Sequence, residues 1–355
     1  MHSQTANREA FELVTQAMER LDDYRRNRRL SLLEEADAAL THALQCDPQY
    51  VSVYFYTGVV KDLIGKAADA TQFFDRVLNR LPSDSESRRD EIQYSRGISW
   101  YHQYSHSKLE RAESDFVAVV QRTKDPVLRL LAHAGLAQTY AMWMIPNTDQ
   151  KRRLRAGQGK DDLEFIRRKR DACLEQIDLV RKKQASKLRA LRSGSSPTPL
   201  SNSIQGTVLN AHGMCTMYWT DYNVTENDDK LRLLEKAIAY LREADGYLPN
   251  DWANACDIGS AHFRFGVVKR ASTIAYEDEF RKAVQMFERV LSELRADYGF
   301  AFYEVGRIYR AWERFDEAVA NFDKALSIPV QYRDVGDRTV NDERDRALRH
   351  DSTFP

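Results

Sequence analysis

The chain has 355 residues, of which 30% are charged, 43% hydrophobic and 10% aromatic, with 9 prolines, 15 glycines and a formal net charge of zero. That length exceeds one compact core and calls for two or three globular domains or a stack of repeats. The scarcity of proline and glycine points to helices. Zero net charge supplies no global field for nucleic acid or an anionic membrane, and no apolar run is long enough to span a bilayer.

The cysteines Cys46, Cys173, Cys215 and Cys256 form no CxxC pair, as expected of a reducing compartment. The N-terminal stretch MHSQTANREAF carries no apolar signal segment, so the expected location is the cytoplasm. Asn223-Val-Thr225 is then a glycosylation sequon in form only.

Residues 5–26 are predicted helical, with Phe11, Val14, Ala17, Met18 and Leu21 on one face, and 32–44 is the partner helix. Between them lies a basic run at 24–30. The second pair carries Tyr54 and Gly58, then Ala70, Phe74 and Val77, and closes at Pro82. Ala36 and Ala70, Leu40 and Phe74, Ala43 and Val77, and Pro48 and Pro82 all share one spacing, which is the mark of a repeat. A looser third pair carries Gly97 and Tyr101, then Ala112, Phe116 and Val119.

A fourth pair opens with a helix at 128–144 around Gly135 and is interrupted by a basic loop at 151–155. A long helix is expected at 161–192, its apolar residues near coiled-coil spacing. A flexible Ser/Pro linker follows at 193–203. Residues 151–192 hold 15 Lys/Arg against 6 Asp/Glu, a net of +9, which leaves −9 for the remainder. In the fifth and sixth pairs the interval from Gly213 to Ala237 equals that from Gly259 to Ala283, and both are twice that from Gly58 to Ala70. The extra residues, near 220–231 and 266–278, are expected to project from one edge.

Residues 301–329 read AFYEVGRIYRAWERFDEAVANFDKALSIP, with Phe302, Val305, Gly306, Tyr309, Ala318, Phe322 and Ala325 at the apolar or small positions. Gly306 is expected to admit a close helix approach that Ala318 receives, with Phe322 filling space between neighbouring repeats. Asp316 and Glu317 suit the positive end of the second helix, and Pro329 ends it. This stretch resembles a tetratricopeptide repeat, and its more distorted copies extend the resemblance over about residues 5–330.

The resemblance implies an all-α, right-handed α-solenoid of about seven helix pairs, here with a long basic helix inserted. The expected division is 1–145 for N-terminal repeats, 146–203 for the basic loop, long helix and linker, 204–330 for C-terminal repeats and 331–355 for a polar tail. That tail is open between a capping helix and disorder. The resemblance also implies a concave groove, lined by the first helix of each pair, that holds a peptide or helix of a partner protein. Its members act as adaptors, co-chaperones, assembly factors or sensors. Groove positions are expected three before, one after and four after the first-helix glycine. They yield Phe55, Tyr94, Tyr101, Met214, Phe263, Tyr303, Arg307 and Arg310. The Lys/Asn/Arg clamp by which some co-chaperones of the family grip a terminal carboxylate is not matched. The chain's own long helix or tail is the other candidate to fill the groove. Tyr303, Arg307 and Arg310 make its C-terminal end the expected place for an acidic or carboxylate-bearing partner.

No nucleophile elbow, metalloprotease motif or complete phosphate loop is present, so a non-enzyme without cofactor or metal is expected. His102 and His106, with Glu110, have zinc-ligand spacing if one helix runs through them, but an exposed helix end is preferred. His133, His212 and His262 are expected to be packing residues with no carboxylate beside them. Lys151, Arg152, Arg153, Arg155, Arg167, Arg168, Lys169 and Arg170 form a basic patch suited to phosphates, with only Phe165 to stack on a base. A nucleic-acid-associated factor is therefore the alternative to a protein adaptor, and a peptide-sensing regulator is a second.

Overall fold

The structure, a computed structural model, describes residues 7–27, 29–82, 85–146, 148–183, 199–222, 226–249, 251–295, 298–330 and 335–353. The sequon at 223–225 and residues 184–198 lie outside them, and with the latter the end of the predicted long helix and much of the Ser/Pro linker. The described residues form sixteen α-helices and no strand. They fall into two compact units, 1–139 and 140–355. Each is an all-α array of helix pairs, the α-solenoid architecture.

The first unit contains α1 (Arg8–Asn27), α2 (Leu30–Cys46), α3 (Val51–Leu63), α4 (Ala67–Arg80), α5 (Glu86–Tyr101), α6 (His106–Arg122) and most of α7 (Pro126–Met142). Helices α1/α2, α3/α4 and α5/α6 pack as hairpins, and the first helices of successive hairpins also touch, α1 on α3 and α3 on α5. The second unit contains α8 (Thr148–Arg155), α9 (Lys160–Asp178), α10 (Pro199–Trp219), α11 (Asn227–Tyr247), α12 (Trp252–Ala271), α13 (Glu277–Arg289), α14 (Gly299–Ala311), α15 (Phe315–Ser327) and α16 (Asp337–Leu348). Wider π-helical turns extend α9 over Leu179–Lys183 and α13 over Val290–Leu294. Here α10/α11, α12/α13 and α14/α15 are the hairpins, with α10 on α12 and α12 on α14.

Local chemistry explains the helix ends. The Asp125 carboxylate accepts from the N–H of Val127 at 2.7 Å, ahead of Pro126 in the first turn of α7. Asp251 accepts from the N–H of Asn254 at 2.9 Å and caps α12. The turns that close the first helices of four hairpins each place one residue at positive φ: Gly65, Tyr104, Thr273 and Glu313. That is the left-handed cap that lets a chain reverse out of a helix.

Packing within a hairpin rests on a glycine against an aromatic ring. A methyl placed on Gly306 would lie 2.6 Å from Cε1 of Phe322, and one on Gly58 would lie 2.8 Å from Cε1 of Phe74. The residue received by Gly306 is thus Phe322, four beyond the Ala318 expected, and Phe322 also shares a core cluster with Val340 and Ala347 of α16.

Three other expectations are corrected. Residues 151–155 lie in α8 and are not a loop, and 199–203 belong to α10 and not to a linker. The extra residues of the fifth and sixth pairs lengthen their helices. Helices α10 and α11 have 21 residues each and α12 has 20, against 13 in α3 and in α14. The longer hairpins use a second glycine two turns before or after the first. Gly206 faces Leu248 as Gly213 faces Leu241, and Gly266 faces Phe280 as Gly259 faces Phe287. The tail forms the helix α16, packed on α15.

Candidate functional site

In the second unit the contacts of α12 with both α10 and α14 align three first helices along one face. On it the guanidinium of Arg307, from α14, lies 5.3 Å from the ring of Phe263, from α12, and 5.7 Å from the ring of Tyr303. Its Nη1 donates to Glu304 at 2.7 Å, and the side chain keeps 27% of its exposure. Burial works against the charge of Arg307, but Glu304 and then Tyr303 outweigh it, so its pKa is raised. Burial also pushes the Tyr303 hydroxyl up to about 12.

Next to Phe263 on α12, Arg264 lies 5.1 Å from the ring of Tyr218 on α10, and 3.4 Å from Asp221. Asn210 of α10 donates to Asp257 of α12 at 2.8 Å. Burial nevertheless pushes the Asp257 carboxyl up to about 7, the Asn210 hydrogen bond opposing it. The face therefore mixes both signs of charge with aromatic rings, and one of its acids titrates near neutrality.

Three of the expected groove residues, Phe263, Tyr303 and Arg307, meet here. Most of the others are buried. Phe55 sits 6.0 Å from Phe74 in the core of the first unit, and Tyr101 is buried. Tyr94 is half-buried, its ring 5.8 Å from Phe116. Met214 is buried in α10. Arg310 is fully buried, its Nη1 donating to the carbonyls of Asp351 and Thr353 at 2.7 and 2.8 Å, and its Nη2 2.8 Å from Glu343 of α16. The chain's own C-terminal segment thus occupies what was expected to be a partner's place.

The reason is one of rotation. Positions three before and four after the glycine point at the neighbouring first helix. The half-exposed row lies two before, one after and five after it. That row is Tyr56, Val59 and Leu63 in α3, and it includes Asp257 and Arg264 in α12 and Arg307 in α14. The missed residues had one signal in the sequence, the charges Asp257 and Arg264 two turns apart in the middle of α12, ahead of the basic pair Lys269 and Arg270 in its last turn.

Residues 301–329 match the family described as Tetratricopeptide repeat. The chain contains a tetratricopeptide repeat. It comprises α14 and α15, and Arg307 and Tyr303 belong to it. Among solved structures the chain is similar to a tetratricopeptide repeat protein from Parabacteroides merdae, at 11% identity, with 96% of this chain and 99% of that one covered and a TM-score of 0.44. It is also similar to a monomeric mutant of IFIT1 solved with Gppp-AAAA, at 16% identity over 98% of this chain and 77% of that one, with a TM-score of 0.40. Yeast Tom70 is similar at 11% identity over 97% and 96%, with a TM-score of 0.29. No curated protein sequence matches. Scores this low carry nothing over from those proteins, and the fold rests on the helix pairs described above.

Outside the repeat, the basic segment is largely paired. Arg153 forms a bidentate pair with Asp162 at 2.7 Å, Arg152 lies 2.9 Å from Asp149, and Arg167 lies 3.9 Å from Glu164. Lys169 sits over the rings of Tyr140, Trp143 and Phe165, and Arg170 sits 4.3 Å over Trp219. Lys151 and Arg168 are exposed. The side chain of Arg155 lies outside the described residues.

Of the histidines, His262 departs from expectation. His102 caps α5 and contacts Asp62 at 3.1 Å, while His106 begins α6, so no single helical face joins them. His262 has a buried carboxylate beside it, Glu279 at 2.7 Å. Arg242 reaches its other nitrogen at 3.2 Å and can only donate, so the proton sits on Nδ1 and points at Glu279. His212 stacks on Tyr240 with ring centroids 4.0 Å apart. Cys173 and Cys215, far apart in sequence, meet as neighbouring buried thiols, and burial pushes Cys173 well up. Among the described residues no helix is long and apolar enough to cross a membrane.

Proposed function

We propose that the protein is a non-catalytic interaction scaffold that holds a segment of a partner protein on the α10–α12–α14 face. One observation carries this. Arg307 bridges two helices by lying between the rings of Phe263 and Tyr303, yet retains a quarter of its exposure. Aromatic rings and a held guanidinium, partly accessible, are the groups that dominate protein recognition. Asp257, Arg264 and Arg307 put both signs of charge on the face, so they suit a peptide with an apolar anchor flanked by both an acid and a base. This departs from a purely acidic partner, because Arg310 is already held and Arg307 is shared with Glu304.

A photo-crosslinking residue at position 264, in the full chain in its native cell, should capture a protein, and Arg307→Met should abolish the capture while helicity persists. The same residue at the exposed Lys236 of α11 should capture nothing in common with it. Equal capture at both positions would refute the face.

Binding of nucleic acid to the basic segment is the weaker reading, because Arg152, Arg153 and Arg167 already have carboxylate partners. Retention of RNA or DNA at low salt, lost on neutralising Lys151 and Arg168, would favour it.

A further inference from the structure

The α1–α2 hairpin carries a group of side chains that the interaction face does not use. Glu9 stands in the first turn of α1. His42 and Cys46 lie one turn apart at the end of α2 and therefore on one face of it. The donor atoms of the three all lie within 4.8 Å of one another, and Glu9 Oε1 is 3.7 Å from His42 Nε2. We propose that Glu9, His42 and Cys46 form a Zn2+ site with three protein ligands and a fourth position open to water or a further ligand.

The donor set defines the metal class. A thiolate, an imidazole and a carboxylate are the ligand types of zinc, whereas Mg2+ and Ca2+ take oxygen ligands. Around a tetrahedral ion with bonds of about 2.0–2.3 Å, donors sit about 3.3–3.8 Å apart. Glu9 and His42 already meet that spacing. Closing the rest needs side-chain movement only, and Glu9 and His42 are 63% and 54% exposed. Cys46 is half-buried and not in a disulfide.

A second, independent feature fixes the frame. Asn7 Oδ1 accepts from the N–H groups of Glu9 and Ala10 at 3.0 and 3.2 Å, and its Nδ2 donates to the carbonyl of Cys46 at 2.8 Å. One residue therefore ties the turn that holds Glu9 to the end of the helix that holds Cys46. The metal would meet ligands whose backbones are already placed, which is what makes three donors enough for binding.

The full-length, reduced, metal-free protein is titrated with Zn2+ by calorimetry and with Co2+ by absorption. One Zn2+ per chain is expected, with a thiolate-to-cobalt charge-transfer band and a thermal midpoint that rises with Zn2+. Cys46→Ser should remove the band and weaken Zn2+ binding by more than tenfold. Asn7→Ala, which touches no donor atom, should weaken it by about tenfold. His42→Gln should abolish the Zn2+-dependent rise in midpoint, and circular dichroism checks that each variant is folded. No uptake by the wild-type chain overturns the site, as does uptake that persists unchanged in folded Cys46→Ser and His42→Gln.

Discussion

Arg307 and Arg310 stand three residues apart on α14 and meet opposite fates. Arg307 lies between two rings with a quarter of its surface open, while Arg310 is wholly buried under α16 and the residues after it. Both belong to the same repeat. The difference lies in what each faces: one position points along the α10–α12–α14 face, and the other points where the next pair would pack. After α15 that place is taken by the single helix α16 with residues 351–353. A stack of repeats leaves its terminal one with an uncovered side, and an atypical capping element is the usual answer. A basic residue in the correct repeat is therefore no evidence of a partner until its covering is known.

The sharpest way to break this contrast is Arg310→Ala. It leaves Glu343, 14% exposed, and two backbone carbonyls without their buried donor. Removing one side of a buried pair costs about 3–5 kcal/mol. Urea unfolding should show that loss, and amide exchange should accelerate in α16 while α10–α13 stay protected. Unchanged protection in α16 would mean that the helix is held by its apolar contacts alone.

Next in size is Gly306→Ala. The added methyl meets the Phe322 ring at 2.6 Å inside a packed core. Overpacking of this kind costs about 1–3 kcal/mol, against about 1 kcal/mol regained in helix propensity, for a net loss of about 1 kcal/mol. Phe322→Leu in the same chain should recover part of it, since the clash is with the ring itself.

Much of the fold was legible because glycine–aromatic contacts recur at fixed helical positions. Gly58 with Phe74 and Gly306 with Phe322 repeat the same separation, and apolar residues around them keep one face. The longer hairpins were harder to read. Gly206 and Gly266 add a second contact two turns from the first, outside the frame of the shorter repeat, so the extra residues looked like loops. The site was less legible than the fold. Shifting a helical register by one position turns the helix by about 100°, and both rows of α14 carry arginine, so sequence alone could not separate Arg307 from Arg310. The fate of Arg310 depends on the tail, whose polar composition follows no repeat.

The open face can be sharpened through Asp257. An aspartate in the unfolded chain titrates near 4, and the folded one is pushed up to about 7. The folded state then holds the proton more tightly, so the group's contribution to stability is complete below about pH 4. It falls as pH rises through that window and is gone above about 7. Asp257 retains access to solvent, so the difference should be about 1–2 kcal/mol, well short of the full linkage value. Asp257→Asn keeps an oxygen that accepts from Asn210 and removes the titration. Its advantage over wild type should grow from pH 5 to pH 8 in paired urea unfolding curves. A constant difference would place Asp257 in bulk solvent and weaken the case for a sheltered face.

The smallest effect comes from a glycine with no ring opposite. Gly246 lies in the last turn of α11, in the hairpin where Gly206 and Gly213 face leucines, and a methyl on it would meet nothing within 4 Å. It is not at positive φ, so alanine fits its backbone. Gly246→Ala should stabilise the chain by about 0.5 kcal/mol, less than a mid-helix replacement because terminal turns fray. Gly213→Ala, at 2.5 Å from Leu241, should destabilise it by more than that. Opposite signs for one substitution in one hairpin would show that what the repeats select is the close approach, since helix propensity alone would make both changes favourable. If both variants are stabilised, the α10–α11 contact is loose enough to relax, and the tight glycine packing would then be confined to the ring-facing positions.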